Sequence, residues 1–282
     1  RGAGIATVAA GVFSLLMFLV LLGSGSNNDT FHTIKGWRLE KDLFVRLLRY
    51  GFPSGVQFFL EMAGFTAFVL LVGRLGIASL AATNIAFNIN TLAFMPMIGC
   101  GIAVSVLVGQ YLGGDKPDRA QSVVYSGFHL TLVYMISIAA AYVLVPDVFV
   151  APFALRADPG GFSEIYGYSI ILLRFVAVYS VFDTMNIIFC SAIKGAGDTR
   201  YVMLVTVILS VFVFVLPVYL VVVVFEFGLM IAWVFATAYI TLLGFIFYVR
   251  FLGGKWKTMR VIERREEVPM LKPTKLGGVA KL

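Results

Sequence analysis

Long apolar stretches recur along the chain, separated by short polar connections. A helix needs about 20 mostly apolar residues to cross the hydrocarbon of a bilayer. Seven segments meet that length: Ala3–Leu22, Gly55–Gly73, Ile85–Leu112, Ser122–Val145, Tyr168–Ala192, Val202–Phe225 and Leu229–Val249. The pattern predicts an all-α polytopic membrane bundle, one six-helix lobe preceded by one extra helix. Only the connection Gly23–Tyr50 is long. It opens on a polar turn, GSGSNNDT, and closes on an amphipathic piece, LEKDLFVRLLRY. There Leu39, Leu43, Phe44 and Leu47 form one apolar stripe that would lie at the membrane surface. The chain thus divides into residues 1–23 (the extra helix), 24–50 (a cytoplasmic linker), 51–250 (the six-helix lobe) and 251–282 (a basic tail).

Helix breakers punctuate this pattern. Pro53, with Gly51 and Gly55 beside it, marks the start of the second span, where a first-turn proline is well tolerated. Pro96 lies inside the third span and Pro217 inside the sixth, and each predicts a kink. The chain opens on Arg1 and runs straight into an apolar span with no small-residue cleavage site after it. The expectation is therefore a spanning helix and not a signal peptide. Ala3–Leu22 reads as the last helix of a preceding part that this chain lacks.

Composition agrees with the pattern: 60% of residues are hydrophobic and 13% charged, against roughly half and a quarter in a soluble domain. The net charge of +7 would suit a nucleic-acid partner, but its distribution assigns it elsewhere. Gly23–Tyr50 carries five Lys/Arg, 113–121 two, 193–201 two and the tail from Arg250 nine, while the other side has Arg74 and Arg156. The positive-inside rule places the basic side, and with it the C-terminus, in the cytoplasm. The basic tail is then an ordinary flank near anionic lipid, and no nucleic-acid role follows. Cys100 and Cys190 lie within apolar runs and read as small hydrophobes. His32 and His129 have no metal-ligand spacing.

Three charged side chains fall within the spans: Glu61, Arg174 and Asp183. A carboxylate at mid-span costs about 2.5–3.5 kcal/mol on insertion scales, which makes such a residue a functional candidate. Glu61 and Asp183 stand at similar depth on different helices. Gln57 lies one turn before Glu61, and Tyr179 one turn before Asp183, on the same helix faces. Asn84 and Asn88 add further oxygens at the start of the third span. Carboxylate, phenol and amide oxygens make a hard ligand set for an alkali cation or a proton. The structural alternative is that Glu61 and Asp183 pair with Arg174 or with backbone. The glycine-rich GAGD at Gly195–Asp198 is no phosphate loop, because no Gly-Lys-Ser/Thr follows. It matches the Gly-x-Gly-Asp of intramembrane aspartyl proteases, whose aspartates must lie in the bilayer. Flanked by Lys194 and Arg200, it reads better as a helix end with Asp198 capping the next helix.

Together, GFPSGVQFFLE, LVGRLG, AATNIAFNINTLAFMPMIGCGIAVSVLVGQYLGGDKPDRA and YSVFDTMNIIFCSAIKGAGDTRY resemble the second half of multidrug and toxic compound extrusion (MATE) transporters. The resemblance runs from about Arg1 to Lys257. It implies two six-helix lobes around a central cavity, and export of cationic or amphipathic drugs in exchange for sodium ions or protons. It implies a coupling cation at Glu61, Tyr179 and Asp183, with Gln57, Asn84 and Asn88 lining the cavity. No enzymatic activity and no organic cofactor are implied. The partners it implies are small organic cations, the lipid bilayer of a cell membrane (a bacterial inner membrane) and an N-terminal lobe absent here. The rivals are a flippase of related fold for lipid-linked precursors, which needs cavity cations, and a non-transporting membrane interaction protein.

Overall fold

A computed structural model describes residues 2–23, 39–154 and 159–259. All regular structure among the described residues is helical. The chain forms two compact units, Arg1–Arg49 and a larger one from Tyr50 onward. In the first, α1 (Gly2–Gly23) is apolar all round, with every described side chain exposed. Next come α2 (Lys41–Gly73), α3 (Ile77–Gly113), α4 (Pro117–Leu144), a short α5 (Pro146–Ala154), α6 (Pro159–Gly195), α7 (Thr199–Val224) and α8 (Leu229–Leu252). Seven of these eight helices are long and apolar enough to cross a membrane. Residues 24–38, with His32, lie outside the described residues, as do Arg156 and the tail from Arg260.

The helices outrun the predicted spans because a hydropathy window stops where polar residues begin, whereas hydrogen-bonded helix does not. Thus α3 starts at Ile77, directly after Gly76 with φ +112°, and takes in the polar turn through Asn84. The amphipathic piece before the second span is continuous with it in α2, which carries Pro53 inside. Pro53 cannot donate to the carbonyl of Arg49, but Arg49 is exposed and the Ser54 hydroxyl bonds the next carbonyl, Tyr50 O, at 3.2 Å. At Pro217 the chain widens instead of breaking. Ser210–Val215 and Leu220–Val224 are π-helical on either side of Leu216–Tyr219, and such turns absorb the proline's missing bond.

The lobe is built around α6, which packs along α3, α4 and α8. Small residues make this possible, since apolar helices in lipid gain from close approach and not from water release. A Cβ at Gly244 would stand 2.7 Å from Phe182 O on α6, and one at Gly101 would stand 2.9 Å from both Ile187 Cγ2 and Ser191 Oγ. A Cβ at Gly195 would overlap the Ser105 carbonyl of α3. The α2 helix makes few close backbone approaches and is held by rings. Phe68 stacks on Phe214 with centroids 5.5 Å apart and meets Trp233 edge-on at 5.9 Å, and Phe65 meets Phe87 at 5.3 Å.

One end of the lobe is clasped by charge. Asp198 occupies the N-cap position of α7, yet its side chain caps nothing. Its Oδ2 accepts from Arg250 Nη2 at 2.6 Å and Nε at 3.0 Å, and the guanidinium lies 4.2 Å over the Tyr201 ring. A charge-assisted pair outbids a neutral cap for the carboxylate. At the same end Trp256 is buried, stacked on Phe251 at 4.8 Å, and Lys257 reaches Asp118 at 3.9 Å. The basic connections 113–121 and 193–201 and the end of α8 therefore gather on one side of the lobe.

The glycine contacts give a direct test. Gly244→Val is expected to destabilise the detergent-solubilised protein by about 1–3 kcal/mol, because the nearest atom to an added Cβ is the Phe182 backbone carbonyl, which cannot step aside. Gly55→Ala, where an added Cβ meets nothing within 4 Å, should leave the melting temperature within a degree or two, roughly the effect of a neutral surface change. Fluorescence-detected gel filtration after heating reads both.

Candidate functional site

The buried residues of α2 recur at Pro53, Gln57, Gly64, Phe68 and Val72, the three- and four-residue steps of one helix face. Glu61 falls in that series, between Gln57 and Gly64. The opposite face offers Phe58, Phe59, Met62 and Leu70, all at least half exposed. A carboxylate turned inward, away from the lipid side, is the arrangement hydrocarbon enforces on such a helix. On α6 the corresponding face carries Tyr179, Asp183, Asn186 and Cys190 at the same spacing, and Asp183 is only 6% exposed.

The two faces meet. Gln57 Nε2 donates to Glu61 Oε1 at 2.8 Å and approaches Cys190 Sγ at 3.7 Å, which ties α2 to α6. Asn186 Nδ2 donates to Asp183 Oδ1 at 2.9 Å. Asp183 and Glu61 lie within electrostatic range of each other, as do Tyr179 and Asp183. Lys194, one turn beyond Cys190, lies within the same range of Glu61. Neither carboxylate is ion-paired among the described residues. Arg174 is exposed and pairs with neither.

The Tyr179 hydroxyl accepts from Asn90 Nδ2 at 3.1 Å, and its ring lies over Trp233 with centroids 6.5 Å apart. Asn84 and Asn88 stand elsewhere. Both are exposed, and Asn88 Nδ2 bonds back to Asn84 O of its own helix at 2.8 Å. The structure therefore brings Gln57, Glu61, Tyr179 and Asp183 into one region and leaves Asn84 and Asn88 on another face. Asn90, Asn186 and Tyr239 escaped the sequence reading. Asn186 follows Asp183 by three residues, a readable signal, but nothing local separates Asn90 from Asn84 and Asn88. Tyr239 on α8 lies within electrostatic range of Glu61, Asp183 and Cys190.

No group of three His, Cys, Asp or Glu capable of holding a metal occurs among the described residues. What the region offers is two carboxylates with neutral oxygens around them. Gln57 Oε1 is buried without a hydrogen-bond partner among the described residues, and the Tyr239 hydroxyl lies beside Ser210. Neutral oxygens beside one buried and one half-buried carboxylate suit a hard monovalent cation.

The family described as MatE matches residues 53–220. The chain is 28% identical over 275 residues to "Probable multidrug resistance protein NorM" of Thermotoga maritima, covering 94% of this chain and 55% of that protein. It is 29% identical over 208 residues to the protein of the same description from Brucella suis, covering 72% and 43%. The chain thus spans about half the length of the curated relatives it matches. Among solved structures, "Crystal structure of MATE in complex with MaL6" superposes with a TM-score of 0.78 at 16% identity, over 91% of this chain and 57% of that one. This likeness shows the fold. Because the matched segment takes in α2 through most of α7 and more than half of the chain, the chain belongs to the MatE family.

Proposed function

We propose that the chain is the coupling lobe of a secondary antiporter that exports cationic or amphipathic organic molecules in exchange for sodium ions or protons. One observation carries the reading. Two carboxylates from different helices, Glu61 and Asp183, turn into the same oxygen-lined interior, and neither is ion-paired among the described residues. A structural role would be served by a partner cation, and Arg174 is not one. The printed names of the relatives, multidrug resistance proteins, supply the substrate class, and the aromatic composition suits flat organic cations.

In this cycle the coupling ion enters from outside and binds at Glu61 and Asp183, with Tyr179 in support. Ion and drug need not touch. Each needs only to bind one of the outward- and inward-open states better than the other. The second wall of the cavity is a further six-helix lobe, of which α1 is the last helix. The protein sits in a cell membrane, a bacterial inner membrane, with its basic end and C-terminus in the cytoplasm.

Sodium-dependent ethidium efflux from cells expressing the full coding gene tests the core of this. Glu61→Gln and Asp183→Asn are expected to lose at least about tenfold of the sodium-stimulated rate, the scale of one lost charge contact, while Tyr179→Phe is expected to lose less. Unchanged export in both carboxylate variants would refute the assignment.

Asn90 should act through Tyr179. Asn90→Leu and Tyr179→Phe are expected to weaken sodium stimulation by similar factors. The double variant should be no worse than the stronger single one, the signature of residues in one network. Additive losses would separate them. For topology, a green fluorescent protein fused at the C-terminus should fluoresce and a periplasmic alkaline phosphatase at the same site should stay inactive.

A further inference from the structure

We propose that Lys194 is a resident counter-cation for Glu61: its ammonium exchanges with the transported ion there and pairs with the carboxylate once the ion has left. This rests on the reading of Glu61 as a coupling residue.

The argument begins with where Lys194 stands. It lies in the last turn of α6, one turn beyond Cys190. Cys190 is buried and meets Gln57 Nε2 at 3.7 Å, and the same nitrogen donates to Glu61 Oε1 at 2.8 Å. A single amide therefore bridges the α6 face that ends in Lys194 and the carboxylate on α2. Lys194 is half-buried and lies within electrostatic range of both Glu61 and Cys190.

Helix direction turns the two side chains toward each other. Gln57 meets Cys190, while Glu61, further along α2, lies within range of Asp183, further back on α6. The two helices thus run in opposite senses. Side chains lean toward the N-terminus of their own helix, so Lys194 leans toward the level of Cys190. Glu61 leans back onto Gln57, as its hydrogen bond records. Both lean toward the Gln57–Cys190 contact. Asp183 stands about 16 Å from Lys194 along the axis of α6, which leaves Glu61 as the carboxylate within reach.

The obvious rival partner is taken. Asp198, the nearest acidic residue along the chain, accepts two hydrogen bonds from Arg250, at 2.6 and 3.0 Å. Lys194 holds no ion pair among the described residues. A lysine in a last turn also suits the negative end of its helix, but that role needs no particular neighbour. Lysine suits an exchangeable contact, because its ammonium is a compact charge on a flexible stem, without the rigid fork of arginine. An antiporter passes through states in which its coupling ion is gone, and a carboxylate left alone in the bilayer is costly. A tethered cation lowers that cost and competes with the ion for the same oxygens.

Ethidium transport by the full-length gene product in proteoliposomes tests this, measured against sodium concentration at fixed pH and against pH at fixed sodium. Lys194→Gln is expected to lower the half-saturating concentration of the coupling ion by about five- to tenfold. It is also expected to lower the maximal rate, because an ion without a competitor is held longer. Lys194→Met should do the same, and Lys194→Arg, which keeps the charge, should restore a half-saturation near that of the parent. A lysine that serves only its own helix end would change stability and leave the half-saturation where it was. Unchanged half-saturation in both neutral variants, or an equal fall in Lys194→Arg, overturns the proposal. If Glu61→Gln loses the ion response in the same experiment, the coupling assignment stands without it. An ion response that is absent in the parent or retained in Glu61→Gln overturns the coupling assignment and this proposal together.

Discussion

A carboxylate in a bilayer must be enclosed by protein, and everything in the larger unit follows from how α6 encloses Asp183. Hydrocarbon offers no water to solvate the charge, so the helix bearing it must be surrounded by other helices at close range. Gly244 brings α8 against the backbone at Phe182 and Asn186, immediately beside Asp183. Gly101 and Gly195 bring α3 against α6 further along. With side chains at these points, the helices would stand off and the aspartate would face lipid or an empty gap.

The α2 helix follows a different rule. It makes few close backbone approaches, and phenylalanine rings wedge it in place. On the face of α2 that turns to α6, Gln57 bonds Glu61 and reaches Cys190. Close backbone packing of α3 and α8 on α6 and aromatic packing of α2 thus enclose the two carboxylates by different means. The aromatic cluster around Phe68, Phe87, Phe214 and Trp233 also links α2, α3, α7 and α8, so a shift of any one is felt by the others. Such linkage is what an ion needs if its binding is to move helices.

The charged end complements this interior. Arg250 donates its fork of hydrogen bonds to Asp198 and stacks over Tyr201, fixing α8 to the turn between α6 and α7. Lys257 and Trp256 extend the clasp to Asp118 and Phe251. Two of the helices that bound the site, α6 and α8, are therefore pinned to each other at one end.

The sequence by itself determined the class and made the candidate residues visible. Seven apolar runs of spanning length can fold in lipid only as helices, because every backbone group must be satisfied within its own segment. A mid-span Glu61 and Asp183 are conspicuous for the same reason, their cost in hydrocarbon. Periodicity put Gln57 with Glu61 and Tyr179 with Asp183, since neighbours on one helix are set by its pitch. What crosses between helices was not legible. Three asparagines stand within AATNIAFNIN, and only tertiary packing decided that Asn90 faces Tyr179 while Asn84 and Asn88 look outward. Asp198 reads locally as a cap, but its partner Arg250 lies 52 residues away, and the stronger distant bond won. Pro217 reads locally as a kink, yet π turns absorbed it and carried Ser210 inward. In each case the residue's type set its chemistry, and the packing of separate helices chose its partner.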